Sequence, residues 1–269
     1  RWYHVQLRPL GDGVFLILGG FMIDWYWELF SNYIKENYDL NDKLILAKYE
    51  HTKRVANLMV LLANRLNLDS NEMCLAYLIG LFHDLGRFYE ATEFKTFKNI
   101  SFDHANYSNK ILFEDNFVEK FNIPDSLYEI IKKAVYYHNK KELVDDLKPL
   151  EELFCKMIRD IDKIDIIRVV SELYEEEFTT TPKFELMDLY LNNKPIDLRL
   201  IDNKSERTLL RLSFMKNLYF DKSKDILEKT GNINRYLSKV KVSLELQELF
   251  DFLVSKINEE EKEKKYVRD

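Results

Sequence analysis

His83 and Asp84 stand side by side at the end of an apolar helical run, Leu78-Ile79-Gly80-Leu81-Phe82, with Gly86 just beyond. An imidazole and a carboxylate at adjacent positions converge on one point only near a helix end, where the backbone turns. The apolar run implies burial, and a buried carboxylate without a counter-charge is costly. A divalent cation is the simplest partner for this pair; an ordinary helix end with two polar residues is the other reading of the dipeptide by itself. Setting aside His4, the remaining histidines are His51, His83, His104 and His138, and each falls at a helix position directed towards the same interior. Two aspartates of buried type, Asp84 and Asp162, join them. Four histidines and two carboxylates suffice for two divalent metals with Asp84 as the bridge, leaving open positions for water and a substrate oxygen. A lone histidine on an apolar face is usually a core residue. That reading weakens when nearly all histidines of a histidine-poor chain fall into one ordered series.

The elements that must position these groups read as helical almost throughout. Asp24 can cap a first helix carrying Trp25, Trp27, Leu29, Phe30 and Ile34. Asn41 or Asp42 starts a second, running to about Leu66, on which His51 shares a face with Ala47, Val55, Leu58 and Leu62. Asp69-Ser70-Asn71 open the helix that delivers His83 and Asp84. Residues 87–101 read as a loop rich in aromatic and basic side chains. Phe88, Tyr89, Phe94 and Phe97 could stack on a base there, or serve as core or lid. Ser101 can cap the next helix, with His104 in its first turn. Pro124 opens a helix that ends at Tyr137-His138-Asn139, and a charged loop over 140–148 leads to a long helix from Pro149. On that helix Asp162 shares a face with Cys155, Ile158, Ile166 and Val169, so it needs a cation or donors. Asp160 falls beside Lys156 and Lys163 and is expected to reach solvent; Asp165 replaces Asp162 if the helix phase is shifted. Beyond Thr179-Thr180-Thr181-Pro182 come shorter amphipathic helices at Phe184–Leu191, Ser205–Phe220, Ser223–Lys229, Ile233–Val240 and Ser243–Asn258.

Composition agrees with an all-α protein: Gly 7 and Pro 5 are few for 269 residues. A formal net charge of -6 argues against a general nucleic-acid or anionic-membrane binder. Cys74 and Cys155 lie in apolar helical runs, which fits a reducing, cytoplasmic location. No apolar run approaches the ~20 residues that span a bilayer, and Val14–Ile23 is too short and lacks the cleavage pattern of a signal sequence. Residues 1–21 differ in pattern from the rest of the chain. Two strand-like runs joined by Gly11-Asp12-Gly13 form a hairpin signal. This segment resembles the last two strands of a PAS-type sensor domain, and is expected to be a truncated or artificial remnant.

The ordered set His51, His83-Asp84, Asp162 resembles the HD-domain superfamily of metal-dependent phosphohydrolases. It lies in the contexts His51-Thr52-Lys53-Arg54-Val55-Ala56, His83-Asp84-Leu85-Gly86-Arg87-Phe88 and Arg159-Asp160-Ile161-Asp162-Lys163-Ile164-Asp165. The intervening His104, in Phe102-Asp103-His104-Ala105, and His138 resemble the subset that holds two metals. The resemblance implies an HD-type helical bundle over residues 22–178, with 179–269 as accessory helices packed on the same domain. It implies metal one on His51, His83, Asp84 and Asp162, and metal two on Asp84, His104 and His138. One or two divalent ions (Fe, Mn, Zn, Mg, Ni or Co) would generate a hydroxide that attacks phosphorus in a small phosphorylated substrate, a nucleotide or another metabolite. Lys163, Arg54 and Arg87 are phosphate-clamp candidates, with surface cations or structural ion pairs as the plainer alternative. Asp103 either orients His104 or serves as an N-terminal helix charge. The Gly-Tyr-Pro signature of cyclic-di-GMP-cleaving relatives is missing, as is the acidic pair of guanosine-tetraphosphate hydrolases. Di-iron oxygenases such as myo-inositol oxygenase resemble the same ligand set, and a nucleotide-binding module without turnover is the third reading.

Overall fold

A computed structural model describes residues 20–97 and 101–257; the hairpin expected near the N-terminus lies outside them. The chain divides into two compact units, residues 1–161 and 162–269, with the boundary inside one continuous helix. Among the described residues the architecture is all-α with a single two-stranded sheet. No helix among them is long and apolar enough to cross a membrane.

The first unit contains α1 (Gly20–Asn37), α2 (Lys43–Arg65), α3 (Ser70–Phe82), α4 (Leu85–Phe94), α5 (His104–Asn109), α6 (Tyr128–Tyr137) and the start of α7 (Pro149–Leu173). Helix α1 begins at Gly20, so Asp24 lies within it and does not cap it. Asp42 caps α2 by accepting from the Leu44 amide at 2.8 Å. Asp69 and Glu72 form a reciprocal capping box at the start of α3. Every residue of α3 from Cys74 to Phe82 is buried, so α3 is the central helix of this unit. It packs against α2, α1 and α6. Its approach to α2 is unusually close: a Cβ on Gly80 would lie 2.5 Å from the Ala56 Cα. Aromatic pairs join the aliphatic core, with Phe82 edge-on to Phe121 and Phe30 edge-on to Phe88.

Helix α4 covers 85–94, so residues 87–94 of the expected loop are helical. Leu85, Phe88 and Ala91 recur at steps of three and are fully buried, and that burial outweighs the mixed aromatic and basic composition that reads as a loop. The helix ends on Lys95 in the left-handed conformation. Asp103, not Ser101, caps α5, because its carboxylate reaches the Asn106 amide at 3.2 Å.

The second unit continues α7 and adds α8 (Phe184–Leu191), α9 (Lys204–Lys216), α10 (Asp221–Lys229), α11 (Asn232–Leu237) and α12 (Gln247–Ser255). Strands β1 (Glu176–Phe178) and β2 (Val240–Val242) pair in parallel, Glu176 opposite Val240, and α9 packs beside β1. The expected helix Ile233–Val240 therefore stops at Leu237. The β-branched Val240 and Val242 fit the ladder better than another helical turn. The helix expected from Ser243 begins only at Gln247, after a 3-10 turn.

The close α2–α3 crossing predicts that Gly80→Ala costs about 1–3 kcal/mol of stability, since backbone must move to admit the methyl. Urea denaturation checks this; an unchanged midpoint would show that the helices separate freely.

Candidate metal centre

Helix ends bring the chemistry together. His83 terminates α3 in helical geometry, and Asp84 then leaves it at φ −114° and ψ 21°. Asp84 occupies the N-cap position of α4, yet its side chain makes no cap hydrogen bond and turns inward instead. His51 projects from α2, His104 opens α5, and His138 follows the last residue of α6. All four imidazoles and Asp84 are buried.

The two oxygens of Asp84 divide the histidines. Oδ2 lies 3.6 Å from His51 Nε2 and 3.5 Å from His83 Nε2. Oδ1 lies 3.5 Å from His104 Nε2 and 3.3 Å from His138 Nε2. Two ligand atoms each about 2.1 Å from one ion, at 90–110° to each other, stand about 3.0–3.4 Å apart. The observed spacings are close to that and longer than good hydrogen bonds. The ring tautomers agree. His83 Nδ1 faces the Gly80 carbonyl at 2.8 Å and His138 Nδ1 faces that of Val135 at 2.6 Å. Each carbonyl accepts from the ring Nδ1–H and so turns Nε2 towards Asp84. His104 Nε2 and His138 Nε2 approach to 3.2 Å, a distance at which two nitrogens need a proton or a cation between them. Two groups can hold an ion, with ligand atoms within 4.8 Å of one another: His51, His83, Asp84 and Asp162, and Asp84, His104 and His138. Asp84 belongs to both. The donor set, neutral imidazole nitrogen and carboxylate oxygen, suits Zn, Fe, Mn, Co or Ni.

Electrostatics keep these groups in ligand form. Burial raises the Asp84 carboxyl, but the Lys48 ammonium and the surrounding histidines more than offset it and hold it well below the usual carboxylate range. Burial, reinforced by Arg87, His138 and Lys48 and opposed by Asp84, drives His104 well below the ordinary imidazole value, so its ring is neutral.

The Asp160 expectation is overturned. Asp160 is 0% exposed, whereas Asp162 is only half-buried. From Met157 to Ile161 every residue of α7 is buried, so this stretch is enclosed all round and a single apolar stripe cannot rank its carboxylates. It is still Asp162 whose oxygen joins the His51 group. Asp165 is buried as well, outside both ligand groups.

Among the cations, Arg87 lies at the site: its Nε is 3.9 Å from Asp84 Oδ1, while Nη1 donates to Glu90 at 2.6 Å and to the Phe97 carbonyl at 3.2 Å. Lys163 donates to the Asn217 carbonyl at 2.9 Å and lies over the Tyr219 ring. Arg54 is half-buried on α2. Asp103 caps α5 and bonds Lys140 and Asn106, which is the helix-end role. The aromatic side chains separate too. Phe88 belongs to the core, Tyr89 and Phe94 pack with Phe102 and Tyr107, and Phe97 faces Lys48 and Arg87.

Three contributors were not found from sequence. Lys48 donates to Asp84 Oδ2 at 2.6 Å; its place three residues before His51, on one helix face, was a usable signal. Asn139 puts its amide nitrogen 3.2 Å from His104 Nε2. Ser108 is fully buried, accepts from the Gly86 amide at 2.8 Å, and lies against the carbonyls of His83 and His104 at 3.2 and 2.9 Å. Gly86 permits this crossing, since a Cβ there would sit 2.2 Å from the His104 carbonyl oxygen. No periodic signal marks a serine or asparagine for such work.

An HD domain family model matches residues 49–202, more than half of the chain, and the chain belongs to that family. Comparison with curated proteins and with solved structures returned no match. HD domains bind divalent metals and are mostly metal-dependent phosphohydrolases.

Lys48 holds an oxygen of Asp84 that a metal at this group would also need. Lys48→Met is expected to destabilise the metal-free protein by about 1–3 kcal/mol, less than a fully buried pair would because Lys48 is partly exposed. Adding Mn2+ should then raise the melting temperature of the variant more than that of the wild type. Equal gains would refute the competition.

Proposed function

We propose that this chain is a metal-dependent phosphohydrolase that cleaves a phosphate ester of a nucleotide or another small phosphorylated metabolite. The observation that carries the reading is the division of Asp84, one oxygen towards His51 and His83 and the other towards His104 and His138. Such a carboxylate suits a pair of divalent ions, with His51, His83, Asp84 and Asp162 holding one and Asp84, His104 and His138 the other. Bound divalent ions supply Lewis acidity, making water nucleophilic near neutral pH and offsetting charge on phosphoryl oxygens.

The chain's own residues supply the rest. Neutral His104 and the carbonyl-oriented rings of His83 and His138 aim ring nitrogens at the site. Arg87, oriented by buried Glu90, places a fixed cation beside Asp84. With Lys48 it gives the site two positive groups, which favours an anionic phosphoryl substrate over a neutral one. Phe97 lies over both cations and could cover one face of the bound group. Lys163 and Arg54 remain proposed phosphate contacts, and Lys163 would have to leave the Asn217 carbonyl to act.

The test is phosphate release from a panel of nucleotides and sugar phosphates by protein loaded with Mn2+, Fe2+, Zn2+, Co2+, Ni2+ or Mg2+. Release is expected with at least one metal and should vanish in EDTA. Asp84→Ala should lose metal and activity together, and Asp162→Asn should lose metal that Asp160→Asn retains. Oxygen consumption without phosphate release would replace this reading with the di-iron oxygenase one. A fully active Asp84→Ala protein would remove the two-metal arrangement.

A further inference from the structure

We infer that Arg159 is a positioning residue that latches the half of the metal centre formed by His104 and His138; this rests on the two-metal reading above. Arg159 lies on α7 and is 8% exposed. Its acceptors are backbone carbonyls. Nη1 donates to the carbonyl of Tyr137 at 2.7 Å and to that of Lys140, and Nη2 donates to the carbonyl of Lys141 at 3.0 Å. His138 and Asn139 lie between the clamped carbonyls. Helix α6 ends at Tyr137, and the last carbonyls of a helix have no partner within it. A guanidinium meets several such acceptors at once because its donors form a rigid fork.

The latch reaches the other histidine of the pair. The Lys140 ammonium donates to Asp103 Oδ2, and the other oxygen of Asp103 caps α5 through the Asn106 amide. His104 is the residue next to Asp103. One continuous set of bonds thus runs from Arg159 past His138 to the backbone that carries His104, the two rings facing Asp84 Oδ1. Glu151, two turns earlier on α7, grips α6 again through Lys133 at 3.1 Å. The rings facing Asp84 Oδ2 are instead carried by α2 and by the end of α3. The latch therefore acts on one half of the centre, and α7 carries it three residues before Asp162.

Loss of a group that orients a metal ligand weakens metal affinity by about 10–100-fold. The test titrates the metal-free protein with Mn2+, counting bound ions by elemental analysis and following spin coupling between paired ions by electron paramagnetic resonance. Wild type should bind two ions and show the coupled signal. Arg159→Lys, which keeps the charge but loses the fork, should weaken the second ion about 10–100-fold, abolish the coupled signal and leave the first ion's affinity unchanged. Asp103→Asn, which keeps a competent cap but loses the pairing charge for Lys140, should act in the same direction; its partly exposed site keeps the test valid if Arg159→Lys misfolds. Two ions bound with unchanged affinities in these variants would overturn the latch. Equal weakening of both ions would also overturn it, because that is the signature of general loosening. A wild-type chain that binds fewer than two ions would instead overturn the two-metal reading, and the latch with it.

Discussion

A buried carboxylate ringed by imidazoles governs this protein. Asp84 is 3% exposed and stands within 3.3–3.6 Å of four histidine nitrogens. An ionised carboxylate at that depth is tolerable only with compensating charge or donors. The Lys48 ammonium supplies compensation in the metal-free chain, at the oxygen shared with His51 and His83. Charge balance at Asp84 thus bears on the stability of the first unit.

The local folding around Asp84 follows from that constraint. A side chain inside a helix points along one face; only the junction between α3 and α4 lets His83 and Asp84 lean towards the same point. That junction is rigid because α3 is buried all along its second half and sits tightly on α2 at Gly80. On the far side, Gly86 and the Ser108 hydroxyl bring α4 and α5 into backbone contact, joining the carbonyls of His83 and His104 through one oxygen. Positioning falls to close backbone approach and to carbonyl acceptors behind the imidazoles, and in neither is there a long flexible side chain to restrain.

HD-domain membership agrees with the helical class and leaves the character of the site to its surroundings. Here those surroundings are cationic and aromatic: Arg87 braced by Glu90, Lys48 beside Asp84, and Phe97 over both. Tyr89 and Phe94, which composition alone would assign to a stacking loop, are occupied with Phe102 and Tyr107.

Much of this was legible in the residues themselves. Helical class, the start of α2 at Asp42, the start of α3 at Asp69 and the end of α6 before His138 are written in caps and apolar spacing, which act over a few residues. The ligand candidates were equally visible, because histidines are few in this chain and fall in one ordered series. What the sequence could not decide depends on partners far away along the chain. Burial makes residues 87–94 helical where composition reads as a loop, and pairing with Glu176–Phe178 turns Val240–Val242 into a strand. The burial of Asp160 follows from the enclosure of α7 on all sides, which periodicity within one helix cannot reveal. Lys48, Ser108 and Arg159 belong in the same class. Each works through a group 18 or more residues distant, and such long-range contacts are set only when the helices pack.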